Sequence, residues 1–291
     1  MRRTAAFACT TFLLLAACSS DDGTDAGRSD TTIAAVETTT GALVTDAPTT
    51  IVAATTTTEP APQYAATIDD LLNIGRPIVL AHTAGEDEFP ASTMYGFGES
   101  VEAGVDMLDL NVQLTKDGVL VIHHDDSVDR ATNGTGAVAD LTYAEIEVLD
   151  DAYWFTADCG ACGDRPEADY LYRGIRTGAV PPPEGYSPDD FKIPTFRELV
   201  ERFPDIPLNV EIKGVGDLAK AAADVLLDEL RQRGRVDATV VASFDDEIVS
   251  YFHSIAPDIE VSPGLGALTA YVLDGTAPPD GMRILQLPPE Y

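Results

Sequence analysis

The sequence predicts an α/β fold, a largely parallel sheet covered by helices, and three observations predict it. Short apolar runs of strand length recur at 77–81, 107–114, 119–122, 208–213, 239–244, 259–262 and 284–287. Helical periodicity over 92–103, 217–233, 245–255 and 268–273 separates several of them. The strand segments are mostly apolar along their length, as strands covered on both faces are, which fits either a barrel or a doubly wound sheet.

The chain has 291 residues with 45% hydrophobic content, enough to bury a core in one large domain or two small ones. Its 18 Lys and Arg stand against 49 Asp and Glu, a formal charge of −31. That balance argues against nucleic acid or anionic lipid as a partner held by charge, because phosphate binding needs clustered cations.

Residues 1–18 read as a secretory signal: Arg2-Arg3, an apolar run through Leu15, then Ala16, Ala17 and Cys18. Leu15-Ala16-Ala17-Cys18 resembles the bacterial lipoprotein box, in which the Cys is lipid-modified. The chain is therefore expected to be exported and anchored by acyl chains on Cys18 at the outer face of a bacterial envelope. The alternative is an ordinary cleaved signal with an incidental Cys. Residues 19–65 are Thr, Ala, Asp and Pro with few large apolar side chains. Such a segment does not offset its ordering entropy and is expected to be a disordered tether.

The folded part is expected over 66–291. The strand at 77–81 delivers His82 into a polar loop that leads to the helix at 92–103. In the following strand, Asp109, Asn111 and Gln113 share one face and Leu108, Leu110, Val112 and Leu114 the other. Lys116-Asp117-Gly118 supplies a turn, and the returning strand ends on His123, His124 and Asp125. Such a polar face is also what the solvated side of an antiparallel pair presents. Residues 153–190, rich in Gly, Pro, Tyr and Cys, lack periodicity and read as an inserted loop region. Within it, Cys159 and Cys162 form Cys-Gly-Ala-Cys. A local disulfide is the first reading in an exported chain, ahead of redox or zinc chemistry, since no second Cys or His pair accompanies them.

Candidate chemistry recurs at strand ends: His82, then Asp109 and Asn111, then His124 and Asp125, then Glu211 and Lys213. In a parallel barrel such positions converge on one mouth. Oxygen donors from Asp109, Asn111 and Glu211 suit a hard cation, Ca²⁺ or Mg²⁺, better than zinc. Two imidazoles beside a cation and a Lys suit proton transfer around a phosphoryl centre. Taken singly, Glu211 with Lys213 reads equally as a structural ion pair and His82 as a hydrogen-bonded core His.

The order of these pieces resembles the glycerophosphodiester phosphodiesterase family from about residue 78 to 291. The specific matches are Leu114-Thr115-Lys116-Asp117-Gly118, then His124-Asp125-Asp126-Ser127-Val128-Asp129-Arg130 with Asn133-Gly134-Thr135-Gly136. Ile193-Pro194-Thr195 and the Glu-x-Lys of Glu211 and Lys213 complete them. The resemblance implies a (β/α)₈ TIM barrel that hydrolyses small-molecule glycerol phosphodiesters with a divalent cation. His82 and His124 would be general acid and base, Lys213 would hold phosphate, and Glu211, Asp109 and Asn111 would be metal ligands. In the family a neighbouring glycerol hydroxyl is thought to attack phosphorus first. The family's closing strand and helix are not matched before Tyr291, so the chain is expected to be a shortened piece of the barrel.

Three departures bear on substrate. The family's His-Arg-Gly is His82-Thr83-Ala84, which removes a phosphate-clamping Arg and leaves Thr83 as the substrate-binding candidate. Pro-Glu-Asn-Thr is Pro90-Ala91-Ser92-Thr93, which removes a carboxylate near the first His. Asp109 is shorter than the family's Glu by about 1.5 Å, one carbon–carbon bond, and Asn111 lowers the charge of the metal shell. The expected activity is cation-dependent hydrolysis of a glycerophosphodiester or lysophospholipid-type diester. A phosphodiester-binding lipoprotein without turnover and a lyase releasing a cyclic phosphate are the alternatives. Oligomeric state is not legible in the sequence.

Overall fold

The structure, a computed structural model, describes residues 64–279 and 281–287. Cys18, the signal and all but the last two residues of the expected tether lie outside them. The strands are β1 Leu80–Ala81, β2 Met107–Leu114, β3 Leu120–Ile122, β4 Phe155–Thr156, β5 Gly160–Ala161, β6 Leu208–Ile212, β7 Thr239–Ala242 and β8 Glu260–Val261. The helices are α1 Ile68–Leu72, α2 Met94–Glu102, α3 Tyr143–Ile146, α4 Phe196–Arg202, α5 Gly216–Gln232, α6 Asp246–Ile255 and α7 Leu265–Asp274.

Five strands run parallel in the order β1-β2-β6-β7-β8, and β3 folds back antiparallel on β2. This is the strand–helix series of a TIM barrel. Among the described residues β1 and β8 do not pair, so the sheet is an open arc of barrel strands. Alternation along each strand sorts the side chains into two layers. Leu108, Leu110, Val112, Leu208, Val210 and Ile212 face outward into the main core with Phe97, Leu226 and Phe252 of the covering helices. Met107 and Val240 face the other way and meet Ile68 and Leu71, so α1 packs under the N-terminal ends of the strands.

The helices begin where side chains replace missing backbone partners. Thr93 accepts from the Gly96 N–H to cap α2, Thr195 and Glu198 form a capping box on α4, and Asp245 accepts from the N–H groups of Glu247 and Ile248 at α6. None of these helices is long and apolar enough to cross a membrane, among the described residues.

The structure corrects two expectations. The strand at 77–81 shortens to two residues: the Asp106 carboxylate takes the Val79 N–H at 2.9 Å and pairs with Arg76, while the Val79 carbonyl accepts from the Asp106 N–H at 2.9 Å. Residues 284–287 are not a strand. Ile284 packs beside α1, and Gln286 exchanges amide hydrogen bonds with Asn209 at 2.7 and 3.3 Å, so side chains hold a run that has no ladder partner. The region 153–190 is packed as well as long. The Cys159–Cys162 disulfide closes the β4–β5 hairpin, Arg173 lies over the rings of Tyr153, Trp154 and Tyr170, and Tyr172, Tyr186 and Phe191 stack around Tyr95 of α2.

Candidate active site

Directly after β1 the chain turns sharply through a 3₁₀ turn at His82–Ala84. Thr83, Ala84 and Gly85 have φ of 41°, 70° and 79°, three successive left-handed residues of which only one is Gly. The His82 carbonyl accepts from the N–H groups of Gly85 at 2.8 Å and Glu86 at 3.3 Å. This reversal returns the Glu86 carboxylate to His82, with Oε1 2.6 Å from Nδ1. The His82 imidazole is held above its ordinary value by that hydrogen bond; burial opposes the shift, and the charges of Glu86, Asp109 and Glu211 reinforce it. The same contact holds the Glu86 carboxyl down.

The second imidazole comes from the end of β3. His123 and His124 are adjacent, yet only one reaches the mouth. His123 is buried, places Nε2 3.1 Å from the Ser127 carbonyl, and is pushed by burial toward the neutral form. His124 faces His82 edge-on, with ring centroids 6.2 Å apart. Its Nδ1 is 2.8 Å from Asp125 Oδ1, and Asp125 also accepts from Arg130 Nε at 2.5 Å and Nη2 at 3.0 Å. Burial pushes the Asp125 carboxyl up, but the His124 and Arg130 hydrogen bonds outweigh it and leave it well below the ordinary carboxylate range. Gln113 of β2 donates to the carbonyls of His123 at 3.0 Å and Asp125 at 2.6 Å, which pins this loop to the sheet.

The floor is built by register. Asp109 lies opposite Asn209 and Asn111 opposite Glu211 across the parallel β2–β6 pair. Asn209 Nδ2 donates to Asp109 Oδ1 at 2.6 Å. Burial raises the Asp109 carboxyl, with the Asn209 hydrogen bond and the nearby His82 and His124 offsetting part of the rise. Lys213, just beyond β6, places Nζ 3.2 Å from Glu211 Oε1 and 3.4 Å from His124 Nε2.

The structure thus brings together His82, His124, Asp109, Asn111, Glu211 and Lys213. Thr83 stands apart: it is fully buried and its carbonyl accepts from the Ser92 N–H at 2.9 Å, so it shapes the turn instead of lining the mouth. Sequence reasoning gave no site role to Glu86, Arg130, Gln113 or Asn209. Asn209 and Gln113 were detectable by strand alternation, and Arg130 lay in the matched motif. The donor set of Asp109, Glu211 and the Asn111 amide is all oxygen and suits a hard cation. The raised Asp109 carboxyl is the group a bound cation would relieve. Among the described residues no three His, Cys, Asp or Glu side chains are clustered as an ion site.

Residues 82–270 match the model of the glycerophosphoryl diester phosphodiesterase family. The chain is 29% identical over 188 residues to a glycerophosphodiester phosphodiesterase of Caldanaerobacter subterraneus, covering 64% of this chain and 65% of that one. It is 28% identical over 210 residues to the Bacillus subtilis glycerophosphodiester phosphodiesterase, covering 68% and 62%. The chain therefore spans a little under two thirds of the length of these curated relatives. Among solved structures, the glycerophosphoryl diester phosphodiesterase domain of a Mycobacterium tuberculosis protein superposes with a TM-score of 0.53 at 22% identity, covering 70% and 67%. An Oleispira antarctica phosphodiesterase in complex with the product sn-glycerol-3-phosphate gives 0.50 at 23% identity, covering 64% and 65%. These superpositions establish a shared fold. With the family match extending over more than half of its residues and its strand-end side chains gathered at one mouth, the chain belongs to the glycerophosphoryl diester phosphodiesterase family.

Proposed function

We propose that this protein hydrolyses glycerophosphodiesters, or related lysophospholipid-type diesters, to a phosphomonoester and an alcohol. The observation that carries this reading is the pair of imidazoles facing each other at 6.2 Å above a floor of two carboxylates, with Lys213 between His124 and Glu211. The names of the relatives, and the product bound by the Oleispira antarctica enzyme, support the substrate class.

Each residue contributes by its surroundings. Asp125 accepts from His124 Nδ1–H, so Nε2 takes the proton of the attacking hydroxyl or water once Lys213, whose Nζ lies 3.4 Å from it, turns to a phosphoryl oxygen. His82, engaged at Nδ1 by Glu86, has Nε2 for the opposite transfer, to the leaving alkoxide. Lys213 Nζ offers the charge that orients a phosphoryl oxygen, in the role left vacant by the missing Arg. Asp109, Asn111 and Glu211 would hold a Ca²⁺ or Mg²⁺ ion. Such an ion, when bound, neutralises charge developing on the phosphoryl oxygens. Cys18 is proposed as a lipid anchor on the outer envelope face; metabolic labelling with a radioactive fatty acid, lost in Cys18→Ser, tests it.

The test is ³¹P NMR of the full-length protein with glycerophosphocholine and a lysophospholipid, in Ca²⁺, in Mg²⁺ and in EDTA. A phosphomonoester peak is expected with a divalent cation and not with EDTA. His82→Ala and His124→Ala should each lower kcat by roughly 10²–10⁴-fold with the fold retained. A persistent cyclic phosphate would reassign the reaction to a lyase, and no product in any condition would leave a binding protein.

A further inference from the structure

We infer that Glu86 is a positioning residue for proton transfer, a carboxylate that fixes His82 through Nδ1 so that Nε2 delivers a proton to the leaving alkoxide. The inference rests on the phosphodiesterase reading above and deepens it.

The geometry begins with backbone. Left-handed conformations cost a non-Gly residue about 1–2 kcal/mol each, and this turn carries two, at Thr83 and Ala84, before Gly85. Positive-φ strain of this kind persists where the surrounding structure over-determines it. Several contacts do so here: the Thr83 carbonyl accepts from Ser92 N–H, the Ala84 carbonyl accepts from Ser100 Oγ at 3.0 Å, and the His82 carbonyl accepts twice within the turn. One result is the return of the side chain at 86 to that at 82. In an ordinary surface helix an (i, i+4) pair of this kind contributes little. Here the side chains are 59% and 32% exposed and line a cleft with Phe89, Ser100 and Val105 that includes none of Asp109, His124, Glu211 and Lys213, so what sets the pair apart is that His82 faces the second imidazole.

Both imidazoles have a carboxylate at the nitrogen away from the reaction, in different surroundings. His124 has a carboxylate that Arg130 already engages twice, with an ammonium at Nε2. Among the described residues the ion-pair partner the structure gives Glu86 is His82. A carboxylate so placed fixes the tautomer and ring orientation of a His and stabilises its protonated form. The charged and titratable groups facing His82 are Glu86 on its own loop, Asp109 on β2, Glu211 on β6 and His124 beyond β3.

The experiment compares wild type with Glu86→Gln and Glu86→Ala. Gln keeps an acceptor for Nδ1–H and removes the charge; Ala removes both. The His82 imidazole is titrated by NMR in EDTA, so that Asp109 and Glu211 are in the same state in every sample. Initial rates are then measured across pH with cation present, and thermal unfolding checks the fold. In Glu86→Gln the His82 midpoint is expected to move to lower pH. A general acid is lost as pH rises through its titration, so the basic limb of the kcat profile should move the same way. The kcat at neutral pH should fall roughly 10–100-fold with little change in KM, and further in Glu86→Ala. An active wild type whose variants keep its kcat, its basic limb and its His82 midpoint overturns the inference. An inactive wild type overturns the phosphodiesterase reading and with it the catalytic role, while the EDTA titration still decides whether Glu86 and His82 are coupled.

Discussion

Asp125 shows how a single side chain can tie stability to the site. Its carboxyl lies well below the ordinary value because His124 and Arg130 donate to it, against the pull of burial. A group depressed on folding contributes stability above its unfolded value near 4, and that contribution fades as pH falls through the folded value. Asp125→Asn is therefore expected to cost about 1–2 kcal/mol at pH 7, with the gap to wild type closing as the solution is acidified. Urea unfolding at several pH values reads this directly, and a gap that widens in acid would reverse the assignment. At this scale much of the site was legible. His82, Asp109, His124, Glu211 and Lys213 were singled out by residue type along successive strands, and the parallel β2–β6 register with the antiparallel return of β3 brings them together. Glu86 was not legible, because its return to His82 depends on left-handed backbone at Thr83 and Ala84, residues that by themselves argue against such a turn.

At the scale of the element, α2 is held against the His82 turn by what it lacks. Gly in a helix costs up to about 1 kcal/mol relative to Ala, so helix propensity alone makes Gly96→Ala stabilising. A Cβ at Gly96, however, would sit 2.7 Å from the Pro90 carbonyl oxygen and 3.2 Å from the Ala84 Cβ. The first neighbour is backbone and cannot rotate away. Gly96→Ala is expected to destabilise by about 1–3 kcal/mol and, by pushing on Ala84, to reduce turnover. Denaturant midpoints and kcat measured on the same preparation test both. The boundaries of the helices read from periodicity were within a few residues, where the caps Thr93 and Asp245 agree, whereas α4, capped by Thr195, was not read. The short strands were less legible. At 77–81 the Asp106 side chain takes the Val79 N–H, and at 284–287 side-chain amides hold the run, neither of which apolar alternation reveals.

At the scale of the whole molecule, the outward core of strands and helices was implied by the alternation of Leu108, Leu110 and Val112, but the inward base was not. Met107 and Val240 lie far apart in the chain and share a cluster with Ile68 and Leu71 of α1. Arg283 adds a second tie at the same end, bonding Asp69 of α1 and Glu260 of β8 across 214 residues of sequence. That base has a consequence for the order of events in time. Contacts of such long range incur their loop-closure entropy before they return any stability, so α1 is expected to dock after the β2–β6–β7 sheet has assembled. Leu71→Ala should then cost about 2–5 kcal/mol and spend nearly all of it on a faster unfolding limb of the chevron, leaving the refolding limb unchanged. A slowed refolding limb would instead place this five-residue helix in the folding nucleus, and the base, not the catalytic mouth, would be where the barrel starts.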